Sequence, residues 1–498
     1  MTSLTLYGNH GSDFWEHSAV VKELATHPLS PQHPLFNLNK PHMFFSPYHL
    51  GVGLLARLGG ITPIDAMALA GVGNLLLLLV GLRLLIHYFF ENFQDSIAFY
   101  TLILVLFLWP AGAWGWSGFI HFQVLSKVLP YPSTFAIAST FLIFALYHHA
   151  LAHEKKFQVL LTGLLSTVVV LTHPPTAVVT LIGILAISLH FYNIIGFRAL
   201  ASGLVLLIGT FLLAFLWPYY SFFDLVILNG SNQTSHRLIT ITTEPKQGIS
   251  EMYARAYLIW PSLVLLPFAL PSLRSRLRAN NFDSFVVMLG ATVLTYILGY
   301  FVGYLTGNFH LGRTISFIAI FIQIALAARL VQLETTMREG KYWPSLAVML
   351  VFVVLVATVA LNSPNKNTLA QAYLGFQGSR PSYKNWEALG RYVKQYDVIL
   401  ADSETSWRIP VFAGKIIAFK KIVAFIDDHS ARRKDQRTFF SKTVQAEEKF
   451  SILNKYQVDY ILINKKTTED AQTYYSFGNP VYETTGFLLI KTFRRKET

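Results

Sequence analysis

Long apolar runs alternate with short polar ones over most of the chain. A helix that crosses the hydrocarbon core needs about 20 predominantly apolar residues. Ten stretches meet or approach that length: 62–90, 95–113, 132–150, 157–173, 175–192, 197–219, 255–272, 283–306, 310–334 and 344–362. The fourth and the fifth meet at Thr172-His173-Pro174-Pro175. These two short stretches read as a broken helix pair meeting at a membrane face, since a helix interior does not tolerate proline.

The pattern changes after residue 362. Val398-Ile399-Leu400-Ala401, the run Ile416 to Phe425, Asp459 to Ile463 and Gly486 to Phe493 are strand-like, whereas Arg432 to Phe440 and Gln445 to Tyr456 are polar and helical. Alternating strands and helices predict a small α/β domain over 363–498. At the other end, Leu50 to Leu58 is apolar but too short to span, and is expected to lie along the interface. The predicted organisation is a first extracytoplasmic loop with amphipathic helices (1–61), a transmembrane helical domain (62–362) and an extracytoplasmic α/β domain (363–498).

Composition agrees with an α-helical polytopic membrane protein. Of 498 residues 53% are hydrophobic and 13% charged, against about 25% charged in soluble domains. Mean hydropathy is +0.43. The 24 Tyr and 9 Trp suit interfacial belts. The net charge of +13 is better explained by basic cytoplasmic loops than by nucleic acid, which is not an expected partner. With no cysteine, disulfides, thiolate metal sites and Cys nucleophiles are excluded.

The basic loops orient the spans. Lys155 and Lys156, Arg198, Arg274 with Arg276 and Arg278, and Arg338 with Lys341 occupy alternate loops. The positive-inside rule makes that side the cytoplasm. Loops 1–61, 114–131 and 220–254, and the C-terminal domain, then face outward. Residues 1–50 contain no signal peptide. An outward N-terminus without a signal is unusual for a bacterial inner-membrane protein: either the tail is translocated unaided, or a preceding helix is missing and Met1 to Tyr7 is the stub after a lost first span.

The first loop carries the most chemistry. In Gly11-Ser12-Asp13-Phe14-Trp15-Glu16-His17, residues 13, 16 and 17 share one helix face. Two carboxylates and an imidazole there suit a general base or part of a divalent-metal site. The same spacing suits a capping box, with Asp13 as N-cap and Glu16 at N3. Lys40-Pro41-His42-Met43-Phe44-Phe45-Ser46-Pro47-Tyr48-His49 then leads into the short apolar run.

An acidic helix, then an interfacial helix, then a long array of spans resembles the first periplasmic loop of GT-C glycosyltransferases. These polyprenyl-phosphate-sugar enzymes include protein O-mannosyltransferases, aminoarabinose transferases and oligosaccharyltransferase catalytic subunits. The segments Ala401-Asp402-Ser403-Glu404, Ile409-Pro410-Val411-Phe412-Ala413-Gly414, Asp427-Asp428 and Tyr456-Gln457-Val458-Asp459-Tyr460 resemble the outward domain of bacterial GT-C-like proteins. Two features differ from the family: no span precedes the acidic loop, and the acidic motif is Asp-x-x-Glu rather than Asp-x-Asp.

The resemblance implies transfer of a sugar from a polyprenyl-phosphate donor to an acceptor hydroxyl, with inversion. Asp13 occupies the position of the family's catalytic acidic residue, with Glu16 beside it. Arg313, in Asn308-Phe309-His310-Leu311-Gly312-Arg313, begins the ninth span at the outer face and is the candidate for gripping the lipid phosphate. His310, Lys40 and His42 are further donor-binding candidates. Asp13 and His17 are the candidate ligands for a divalent metal, Mg or Mn. A non-catalytic GT-C-like subunit of a larger membrane assembly is the alternative. A transporter fits less well, because the ionisable residues cluster at span ends.

Overall fold

The computed structural model describes residues 13–90, 92–110, 118–226, 255–306, 310–338, 383–421, 423–468 and 470–493, with positions 5, 252, 353–355, 357–358 and 373. The chain divides into two compact units. One comprises Met1–Leu6, Ala68–Trp217 and Ile239–Gln377; the other comprises Tyr7–Met67, Pro218–Leu238 and Gly378–Thr498.

The first unit is helical. Among the described residues six helices are long and apolar enough to cross a membrane: Pro63–Phe89, Pro132–Ala152, Pro174–Ile195, Phe197–Phe215, Ser284–Val302 and Leu311–Thr336. Gln94–Phe107 and Lys156–Thr172 are apolar but shorter. The expected span at 255–272 appears as the helix Trp260–Ala279, with Pro267 and Pro271 inside it and Arg276 and Arg278 in its last turn. Most of the tenth expected stretch, 344–362, and most of loop 220–254 lie outside the described residues.

Helices in lipid gain little from apolar burial against each other, so close approach and hydroxyl pairs matter more. Gly183 meets the Phe144 ring so closely that an added Cβ would lie 2.0 Å from Cε1. Thr140 and Thr180 hydroxyls pair at 2.7 Å, and Tyr147 Oη lies 2.8 Å from Ser188 Oγ. Arg276 grips Asp283 with two nitrogens, at 3.0 and 2.9 Å, and donates to Phe89 O. That arginine therefore ties helices together as well as contributing charge. The expected break at His173 is present: one helix ends at Thr172, the next starts at Pro174, and the His173 ring lies 2.8 Å from Thr176 Oγ1.

The second unit joins the first loop to the C-terminal segment. Its described residues form a five-stranded sheet in the order β2-β1-β3-β5-β4. The strands are β1 (Val398–Ala401), β2 (Lys415–Ile416), β3 (Tyr460–Asn464), β4 (Gly478–Glu483) and β5 (Phe487–Thr492). β1 pairs in parallel with β2 and β3, whereas β5 is antiparallel to β3 and β4. Parallel strands are covered on both faces, and β1 is buried throughout. Phe439, Ile452, Leu453 and Phe477 complete that core.

Two strand expectations change. The run Ile416 to Phe425 yields a two-residue strand; Ile417, Ala418, Phe419, Val423 and Ala424 are buried but leave the ladder. Apolar content there reports burial, not extension. β4 was not expected because Gly478 and Pro480 weaken its signal; it is an edge strand, where proline is tolerated.

The helix Asp13–Thr26 packs against Pro47–Gly59. Gly53 permits the approach, since a Cβ there would lie 2.9 Å from Leu24 Cβ. Ser46 caps the second helix, with Pro47 in its first turn and Gly60 ending it at φ 59°. Ile416 N donates to Leu35 O, so the first loop covers the outer edge of β2.

Candidate functional site

Asp13 and Glu16 lie one turn apart at the start of the Asp13–Thr26 helix. Both meet Lys421. Its Nζ lies 2.5 Å from Asp13 Oδ1 and 3.4 Å from Glu16 Oε2. Exposure separates the two carboxylates: the Asp13 side chain is 41% exposed and that of Glu16 6%. Glu16 Oε1 also lies 3.5 Å from His42 Nε2, which is fully buried. At that distance the contact is electrostatic rather than a strong hydrogen bond. Burial pushes the Glu16 carboxyl up, but His42 and the Lys421 ammonium outweigh it and hold the carboxyl below its ordinary range. Burial works against the Lys421 charge, yet Glu16 and then Asp13 raise it above the usual lysine value. The cluster is one ammonium held between a closed carboxylate and an open one. Trp407 lies beneath that ammonium, its ring centre 5.7 Å away.

A histidine chain runs behind it. His17 Nδ1 lies 2.8 Å from His49 Nε2, and His49 Nδ1 lies 2.8 Å from Ser46 Oγ. His17 also stacks on Phe44. Burial, with a smaller contribution from His42, holds His49 down to about 3, so this ring is neutral at physiological pH. Deeper still, the Lys415 ammonium bonds Glu23 Oε2 at 2.8 Å and the carbonyl of His33 at 2.9 Å. Lys22 donates to the carbonyls of Pro410 and Ala413. These buried bonds lock the acidic helix onto the sheet domain.

The remaining first-loop candidates are spread out. Lys40 is half-exposed and sits 3.9 Å from Asp427. Asp13 and His17 engage different partners, and among the described residues no group of three His, Asp or Glu is placed to hold a metal ion.

In the helical unit Arg313 lies in a short turn, His310–Thr314, that leads into Ile315–Arg338. Ser316 Oγ donates to Arg313 O at 3.2 Å. The His310 side chain lies outside the described residues. Gly312 brings two further polar groups to this turn: a Cβ there would lie 2.7 Å from Tyr300 Oη and 2.8 Å from Arg255 Nη1. Arg255 is buried. His121 is buried near Trp109.

Sequence reasoning missed Lys421, Arg255 and Tyr300. Lys421 stands in an ordinary Lys420-Lys421 pair, and 405 residues separate it from Glu16. Arg255, at the start of an expected span, was the one legible signal, because ionisable residues at membrane depth are rare.

No protein-family model matches the sequence, and no curated protein matches it. Solved structures do. The apo crystal structure of ArnT from Cupriavidus metallidurans aligns with a TM-score of 0.51 at 13% identity, covering 98% of this chain and 95% of that one. The apo oligosaccharyltransferase of Archaeoglobus fulgidus aligns with a TM-score of 0.50 at 12% identity, covering 99% of this chain and 73% of that one. Both are GT-C superfamily membrane glycosyltransferases. Identity this low speaks for the fold, and the fold of this chain is that of the polytopic GT-C membrane glycosyltransferases.

Proposed function

We propose that the chain is a GT-C-type glycosyltransferase that moves a sugar from a polyprenyl-phosphate donor to an acceptor hydroxyl at the outer face of a bacterial inner membrane. The observation that carries this reading is the open Asp13 carboxylate beside Lys421. Asp13 takes the proton of the acceptor hydroxyl, and the oxygen attacks the anomeric carbon from the face opposite the phosphate. The new C–O bond forms as the old one breaks, its electron pair leaves with the phosphate, and configuration inverts. Glu16, with His42 behind it, holds Lys421 in place. Lys421 offsets charge beside Asp13, Arg313 is assigned to the leaving phosphate, and Lys40 and His310 are assigned to donor contacts. The 363–498 segment is read as extracytoplasmic.

A second reading has support from the same pair. Lys421 already neutralises Asp13, which suits a non-catalytic subunit of a membrane assembly. Purified chain in nanodiscs, given a radiolabelled polyprenyl-phosphate sugar and acceptor, separates the two. Transfer by wild type that is lost in Asp13→Asn supports the enzyme. No transfer by wild type, together with stoichiometric copurification of other membrane proteins, supports the subunit.

A further inference from the structure

The His429–Phe440 helix has two unlike faces. His429, Arg432, Gln436 and Phe439 are buried. Ser430, Arg433, Lys434, Arg437 and Thr438 fall at i, i+3, i+4, i+7 and i+8, so they share the opposite face. They line a groove of about 320 Å³.

Two neighbouring charges outside the groove lining, Arg432 and Asp435, are already matched. Arg432 Nε bonds Asp428 Oδ1 at 2.8 Å. Asp435 is occupied by Lys455 at 2.6 Å and by the Tyr456 hydroxyl at 2.8 Å. Among the described residues no ion pair or hydrogen bond engages the side chains of Arg433, Lys434 or Arg437. Three cations within one helical turn and a half repel each other, at a cost of a few tenths of a kcal/mol per pair. A bound anion removes that cost. Two guanidinium forks, an ammonium and two hydroxyls supply donors and no carboxylate, which matches a tetrahedral phosphate oxyanion.

We propose that this groove binds a phosphate group, either free or as the headgroup of an anionic lipid. The site is separate from the Asp13 cluster and does not depend on glycosyl transfer.

The test uses the full chain in a neutral detergent. Inorganic pyrophosphate and, separately, short-chain phosphatidylglycerol below its micelle concentration are titrated by calorimetry. Wild type is compared with Arg433→Gln/Arg437→Gln, whose side chains leave the core untouched. Lys466→Gln, an exposed cation outside the groove, controls for net charge. The expected result is binding that weakens at least tenfold in the double variant, is unchanged in Lys466→Gln and falls with added salt. Tighter binding of the lipid identifies a headgroup site; equal or tighter binding of pyrophosphate identifies a soluble anion. Equal titrations for wild type and the double variant, with either ligand, overturn the proposal.

Discussion

Lys421 Nζ lies 2.5 Å from Asp13 Oδ1, so the first loop and the C-terminal domain share one electrostatic centre. Asp13 can take a proton from an acceptor only when that ammonium moves aside and opens its Oδ1. On the proposed reading the phosphate competes with Asp13 for that ammonium: the donor diester carries one negative charge, and cleavage of the sugar–oxygen bond gives the leaving group a second.

Asp13→Asn is therefore expected to lower transfer by about 10²- to 10⁴-fold, the usual contribution of a general base. Because Asp13 is half-exposed, the melting temperature should barely move. Wild-type rates in a nanodisc assay of this variant would remove Asp13 from the mechanism.

Lys421→Met should destabilise by about 1–3 kcal/mol, because it leaves the buried Glu16 carboxylate short of a partner. Adding Glu16→Gln should restore part of that loss. A thermal double-mutant cycle reads the coupling, and simple additivity of the two changes would show that the pair is not linked.

Acid should loosen the second unit between pH 6.5 and about 3. The unfolded chain protonates His49 near its ordinary value of 6.5, while the folded ring resists until about 3. Stability is thus complete above 6.5 and is lost as pH falls. Glu16, held below its ordinary value, adds loss below about 4.5 by the same sign. His49→Gln should flatten the dependence of melting temperature on pH from 6.5 to 4; an unchanged slope would mean that His49 is not responsible.

Gly53→Val should cost about 1–3 kcal/mol, because the new side chain meets Leu24 at the helix crossing. Gly51, on the same helix, has nothing within 4 Å of an added Cβ. Gly51→Ala should be neutral or stabilise by up to about 1 kcal/mol. Equal effects at both positions would contradict the packing.

Arg313→Gln should raise KM for the lipid donor by about tenfold or more, the equivalent of one charge-assisted hydrogen bond. Steady-state kinetics at saturating acceptor check this. A change confined to kcat would move Arg313 away from donor binding.

Much of this architecture was readable along the chain. Six of the expected spans showed as long apolar helices among the described residues, because a helix in lipid must be apolar over a fixed length, a local property. The core strands β1, β3 and β5 showed because a covered strand is a short apolar run. The Ile416 to Phe425 run misled for the same reason, since burial without a ladder leaves the same trace. β4 was invisible because edge strands need no apolar pattern.

The candidate site was half visible. Asp13 and Glu16 share a helix face by spacing alone, but spacing is silent on which carboxylate is open. Their division of labour was decided by the tertiary structure, which enclosed Glu16 with His42 and left Asp13 half-exposed. It also brought Lys421 and Lys415 to the acidic helix from the far end of the chain. Local periodicity depends on neighbours within a few residues, so the sequence by itself determined the membrane class, the long apolar helices and the acidic face. Charge pairing depends on distances in space, and those are set by which surfaces bury together.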